Sequence, residues 1–128
     1  DIKTGDTSTG RLMKKRSRIE TQNLARHCNE ELILAILSGG TRHGYQLALE
    51  LEERSGSYFR LNHGTLYPIL HKLEKDGMIK GSWSDDGPKR RRRQYALTSK
   101  GKKYASGQRE AWKEFYDNLT AIMKDVDR

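Results

Sequence analysis

The sequence holds little that could cross-link it. Cys28 is its one cysteine in 128 residues, which excludes an internal disulfide and any Cys-x-x-Cys zinc site and suits a reducing compartment. No apolar run approaches the roughly 20 residues that span a bilayer, and no signal-peptide core stands near the start. The expectation is a cytoplasmic chain with no membrane partner. Catalytic patterns are missing too. There is no P-loop, no nucleotide-binding glycine pattern and no Ser/His/Asp order in a strand-turn context, and Asp85 and Asp86 are turn neighbours rather than a spaced acid/base pair. His63 and His71 lie too far apart for one metal shell, while the adjacent His27 and Cys28 diverge on a helix. Neither catalysis, nor a metal, nor a cofactor is expected.

Acidic residues are in deficit, 17 against 25 Lys and Arg, giving a net charge of +8. That balance suits a polyanionic partner, whether nucleic acid or an anionic membrane surface. The length suffices for one domain with a core that needs no staples. Residues 1–12 are small, polar and aperiodic, and Met13 would make a natural start, so they are read as an addition to the natural chain. Residues 1–17 are expected to be a flexible N-terminal segment, residues 18–98 one domain, and residues 99–128 a helical extension. Met13–Arg18 reads either as ordered or as a second basic arm.

Helical spacing runs from about Arg18 to Ser38, where "LILAIL" is apolar almost all round and predicts deep burial. Gly39 or Gly40 is placed to stop it. A second helix is predicted over about Gly44–Arg54, with Leu47 and Leu51 inward. In "NHGTLYPILHKLEKDG", Leu66, Ile69, Leu70 and Leu73 form an i, i+3, i+4, i+7 stripe, with Gly77 as the stop. The opposite face carries Gly64, Thr65, Pro68, His71, Lys72 and Lys75, with Tyr67 at its border. Pro68 implies either a helix start near Thr65 or a loosened turn. "MIKGSW" and "RQYALT", joined by "SDDGPK", read as a β-hairpin. Three helices followed by such a hairpin describe a winged helix-turn-helix, mainly α, whose third helix offers its polar face to a major groove.

The run Lys89–Arg93 sits at the tip and return strand of that hairpin. A solvated wing tip is the bland reading. Contact with phosphates, or arginine insertion into a minor groove, accounts better for so much like charge in one place. Arg93 and Arg92 fall partly within the strand. After Thr98, a plausible N-cap, the chain is helical again. Ala105, Trp112, Phe115, Leu119, Ile122 and Val126 keep a 3,4 heptad frame in which Gln108 fills the one polar slot. About 25 residues of helix span about 38 Å, too long a stripe for this core to cover. A homodimer is expected, against the alternative of a helix folded back on its own domain.

"RHGYQLALEL", "GTLYPILHKLEKDGMI" and "GPKRRRRQYALTSKG" resemble the PadR family of bacterial transcriptional regulators, and "REAWKEFYDNLTAIM" resembles its short-form branch with a single C-terminal dimerisation helix. The resemblance covers roughly Glu31 to Gly101. It implies a dimeric winged-helix repressor without catalysis, often controlled by small aromatic effectors. His43 and Tyr45 of "HGY" would then anchor phosphates of double-stranded DNA. Thr65 and Tyr67 of "TLYP", with Asn62 and His63 just before them, would meet DNA at the recognition-helix start. His71, Lys72 and Lys75 would lie in or beside the groove, and Lys89, Arg90, Arg91 and Arg92 on the wing. In some short-form members a tryptophan meets its dimer mate and sandwiches flat aromatic ligands. Trp112 matches that position, with Phe115, Tyr116, Leu119 and Ile122 as companions, although Trp112 could equally pack only the dimer core. The wing holds more consecutive cations, and the segment before Glu31 is longer, than the family pattern suggests. A regulator of a pseudo-palindromic operator is the leading expectation; a non-specific DNA-coating protein and a protein-interaction module on a winged helix are its rivals.

Overall fold

The computed structural model describes residues 28–84 and 92–126. The basic arm at Met13–Arg18, the first ten residues of the domain and the wing tip at Lys89–Arg91 lie outside the described residues. In chain order come helix α1, described over residues 28–37, β1 (Arg42–His43), α2 (Gly44–Arg54), α3 (His63–Lys75), β2 (Ile79–Ser84), β3 (Arg92–Leu97) and α4 (Ser99–Met123). This is the winged helix-turn-helix that the hydrophobic pattern predicts.

One core joins the pieces. Ile33, Leu34, Ile36 and Leu37 from α1 meet Leu47 and Leu51 from α2, Leu66, Leu70 and Leu73 from α3, and Ile79 and Tyr95 from the sheet. Truncating a leucine in such a setting costs about 2–5 kcal/mol. Burial on "LILAIL" is less complete than its composition suggests. Leu32 is half-buried and Ala35 exposed, because the side of α1 away from α2 and α3 looks onto an open trough toward α4.

Gly40 (φ 135°) and Gly77 (φ 77°) occupy the left-handed region that ends α1 and α3. Pro68 does not mark the start of α3. Asn62 caps the helix by accepting from the Thr65 amide at 2.9 Å, and Pro68 lies inside it. Its missing N–H would have bonded the Gly64 carbonyl, and it sits on the exposed face where water can serve that carbonyl.

The expected hairpin is part of a three-stranded antiparallel sheet ordered β1-β3-β2. β2 and β3 pair from Ile79 opposite Leu97 to Ser84 opposite Arg92, while Arg42 and His43 pair with Tyr95 and Gln94. A two-residue strand has no alternation to read, so β1 was invisible to periodicity.

Thr98 is the N-cap of α4. Its hydroxyl accepts from the Gly101 amide at 3.0 Å and donates to the Gly77 carbonyl at 2.6 Å. Gly101 lies against the Met78 carbonyl, where a Cβ has no room. Lys100 Nζ donates to the Asp76 carbonyl at 2.9 Å. The start of α4 is therefore fastened to the end of α3.

Candidate nucleic-acid interface

The outer face of α3 is defined by exclusion. Leu66, Leu70 and Leu73 take the inner face, leaving His63, Thr65, Tyr67, Pro68, His71, Lys72 and Lys75 exposed, with Asn62 at the cap. The hydroxyl end of the Tyr67 ring rests against Gly44 of α2. A Cβ on Gly44 would stand 2.8 Å from the Tyr67 phenolic oxygen, so the glycine of "HGY" lets α2 and α3 approach at this point. The rings of His63 and Tyr67 are 6.0 Å apart.

Across α2, the His43 and Tyr45 rings stack, with centroids at 5.9 Å and planes 8° apart. Arg92 of the wing places its guanidinium 5.0 Å from the Tyr45 ring centroid and donates to the Tyr45 hydroxyl at 2.8 Å. These contacts form two groups, His43–Tyr45–Arg92 and His63–Tyr67, which come together where Tyr67 packs on Gly44, so that the surface is drawn from β1, α2, α3 and β3. The backbone N–H of His43 is held by Gln46 Oε1 at 2.7 Å, which fixes how the chain enters α2.

The cations differ in how they are held. Lys72 reaches Glu30 of α1 at 3.1 Å and Asp76 at 3.6 Å. The Glu30 hydrogen bond is the main cause that raises its pKa above the ordinary lysine value. Lys72 is thus turned toward α1. Lys75 and His71 stand exposed nearby. Arg93 is held by the fold: it bonds Glu74 Oε2 at 2.8 Å and lies 5.6 Å from the Trp83 ring and 5.9 Å from that of Tyr95. The same Glu74 oxygen accepts from the Gly81 amide at 3.2 Å. Glu74 thus ties α3 to both wing strands. Spacing gave no hint of this, since its partners lie 7 and 19 residues away. Lys89, Arg90 and Arg91 are outside the described residues.

The second predicted cluster lies along α4. Trp112 is 40% exposed, Phe115 58%, Tyr116 63%, Leu119 45% and Ile122 77%, a continuous apolar face that this chain leaves open. Trp112 and Phe115 meet edge-on at 5.8 Å. Between α1 and α4 runs a trough of about 720 Å³ whose walls include Cys28, Leu32, Ala35, Phe59, Ala105 and Trp112. A smaller hollow of about 290 Å³ continues it past Trp112 to Phe115. Gln108, the polar slot of the heptad, donates to Glu31 Oε2 at 3.3 Å. Burial, and then the Glu31 carboxylate, push the Cys28 thiol up, away from thiolate chemistry. Among the described residues no group of three or more His, Cys, Asp or Glu could hold a metal, and no helix is long and apolar enough to cross a membrane.

A family model for the transcriptional regulator PadR-like family matches residues 33–106, more than half of the 128 residues. The chain belongs to the PadR-like family. The matched span runs from the buried part of α1 through the sheet to the first two turns of α4 and stops before Trp112. A negative transcriptional regulator PadR of Bacillus subtilis (strain 168) is 33% identical over 70 residues, 55% of this chain and 38% of its own. This chain thus aligns with less than half of that PadR protein. A transcriptional regulator from Clostridium thermocellum has a similar structure, with a TM-score of 0.67 and 28% identity over 82% of this chain and 96% of its own. The structure of B. subtilis PadR in complex with operator DNA matches with a TM-score of 0.57 and 29% identity, over 62% of this chain and 45% of that one.

Proposed function

We propose that this chain is a dimeric, sequence-specific repressor that acts in the cytoplasm on a pseudo-palindromic operator and is released by a small aromatic effector. The observation that carries the DNA-binding part is the joined surface of His43, Tyr45, His63, Tyr67 and Arg92, flanked by Thr65, His71 and Lys75. The B. subtilis relative that was crystallised with operator DNA supports the same use of this fold, and the description of that relative as a negative regulator supports repression.

In this reading the α3 outer face enters a major groove. Tyr45 and His43 meet phosphates, and the wing, with Lys89, Arg90 and Arg91 at its tip, follows the backbone into the flanking groove. The α4 faces of two copies cover each other, which sets two reading heads on one side of the duplex about 10 base pairs, or a multiple, apart. Because Thr98, Lys100 and Gly101 fasten α4 to the end of α3, a change in how two α4 helices pack would move the two recognition helices relative to each other. That is the route by which an effector at Trp112 would release DNA. No catalytic step belongs to this scheme.

Selection of bound duplexes from a random library tests it, followed by titration of selected and scrambled duplexes at several salt concentrations. The selected duplex should bind at least about 10³-fold more tightly. Equal affinities at every salt would leave only a charge-driven coat, and no retardation at physiological salt would leave only a protein-interaction module.

A further inference from the structure

Glycine and proline are the two residue types that a helix tolerates least. α3 carries one of each, four residues apart, at Gly64 and Pro68. With His71 and Lys75 they lie along the outer line of the helix, on the side away from Leu66, Leu70 and Leu73, and all four are exposed. Nothing among the described residues calls for either. Gly64 has an ordinary helical backbone, since the glycines with positive φ are Gly40, Gly56 and Gly77. A Cβ on Gly64 would meet only Asn62 Oδ1, at 3.4 Å, an ordinary contact. Gly44 is the contrast, because there Tyr67 leaves a Cβ no room. Pro68 takes no part in the core, and its ring interrupts the hydrogen-bond ladder of α3 for no gain inside the domain.

We infer that Gly64 and Pro68 form a thymine-reading strip. The Pro68 ring and the Gly64 methylene rest on the 5-methyl group of one thymine in each half-site, and the missing side chain at Gly64 lets α3 sit that deep in the major groove. This rests on the operator reading above and names a base that the operator must contain. The chemistry of the face favours a methyl group over a hydrogen-bonding edge. In the major groove guanine is read by Arg or Lys, and adenine by Asn or Gln. α3 holds neither Arg nor Gln. Asn62 commits its side-chain oxygen to the Thr65 amide at 2.9 Å, and Lys72 is drawn to Glu30 and Asp76. The N-terminal half of the outer line offers C–H groups and no side-chain donor or acceptor. The thymine methyl is the apolar group that the major-groove edges present. His71 and Lys75 follow farther along the same line and supply its polar contacts.

The test uses the selected duplex with deoxyuridine in place of thymidine, one position at a time and in both half-sites together, so that only methyl groups are lost. Anisotropy titrations are run with the parent chain, Gly64→Ala and Pro68→Ala, and thermal unfolding is followed for each. At one position the parent should lose roughly 15-fold in affinity, about fourfold for each methyl group. Pro68→Ala should bind the thymine and uracil duplexes about equally. Gly64→Ala should bind the thymine duplex at least about tenfold more weakly than the parent and keep no preference for it. Both variants should melt at or above the temperature of the parent, because alanine is the better helix former; the loss is then one of contact and not of fold. A selected duplex that is preferred over a scrambled one but has no uracil-sensitive position would overturn the inference and leave the operator reading standing. So would a thymine preference that survives both substitutions, or Gly64→Ala binding as tightly as the parent. Equal affinity for selected and scrambled duplexes would overturn both.

Discussion

Arg92 donates to the Tyr45 hydroxyl across 2.8 Å and lies over the same ring, so the return strand of the wing is fastened to the first turn of α2. Tyr45→Phe keeps the ring, its stacking on His43 and the cation–π contact, and removes one charge-assisted hydrogen bond at an exposed site. The expected loss of affinity for a selected duplex is about fivefold, near 1 kcal/mol, with the melting temperature almost unmoved. Tyr45→Ala removes the ring as well and should cost more. Anisotropy titrations with both variants check the order; equal affinities for wild type and Tyr45→Ala would remove this pair from the interface.

Gly44 faces Tyr67 with no space for a methyl group, since a Cβ would stand 2.8 Å from the phenolic oxygen and 3.2 Å from two ring carbons. Gly44→Ala must push Tyr67 off its seat or part α2 from α3, at about 1–3 kcal/mol by the usual cost of overpacking. Tyr67→Ala removes the obstacle. In that background Gly44→Ala should cost less than about 0.5 kcal/mol, so the double-mutant cycle should give a coupling of 1 kcal/mol or more, on the scale of residues in contact. Thermal and urea unfolding of the four proteins measure it.

Much of this was legible in the sequence because one physical signal repeats. The Leu66–Leu70–Leu73 stripe, the Gly77 stop and the Thr98 cap each act within a turn or two of helix, so spacing alone places α3 and the start of α4. What spacing could not give depends on distant partners. Arg42 and His43 become a strand only because β3 passes beside them. Glu74 becomes a clamp only when Gly81 and Arg93 arrive. The polar Gln108 in an apolar heptad did carry a signal, but it takes the fold to bring Glu31 opposite. The exposed Ala35 shows the reverse case: an apolar run reads as buried all round when one side of it faces a trough.

Glu74 holds Arg93 and the Gly81 amide through a single oxygen. Both carboxylate and guanidinium are about two-thirds or more covered, so Glu74→Gln should destabilise the domain by about 1–2 kcal/mol, more than an exposed pair. Because the clamp reaches the wing strands, amide exchange at Gly81 should speed up before that of the core helices does. Exchange that rises equally in α1, α2 and the wing would mean that Glu74 supports the whole domain and not the wing in particular.

Cys28 carries a thiol whose pKa is raised, first by burial and then by Glu31. A raised pKa leaves less thiolate at any given pH, so alkylation by iodoacetamide at pH 8 should run slower than that of free cysteine. Glu31→Gln removes the lesser cause and should quicken the reaction modestly. Mass spectrometry over time reads both rates. Alkylation as fast as that of free cysteine would show a thiol open to water and ionised.

The apolar face of α4 gives the last prediction. Leu119 and Ile122, 45% and 77% exposed in the single chain, lie on the heptad seam near the far end of the helix, well away from the core and from the α3 surface. Covering them with a second α4 would bury apolar area at about 25 cal/mol per Å², whereas a lysine at both positions would place four like charges in the seam of a dimer. Leu119→Lys with Ile122→Lys should therefore sediment as a monomer at concentrations where the parent is a dimer. Since neither side chain supports the winged helix, the circular dichroism of the domain should persist. Affinity for a two-half-site duplex should fall by about 10² or more, because the second reading head loses its high effective concentration, while affinity for a single half-site should stay near that of the parent. A parent that sediments as a monomer would assign the α4 face to some other partner.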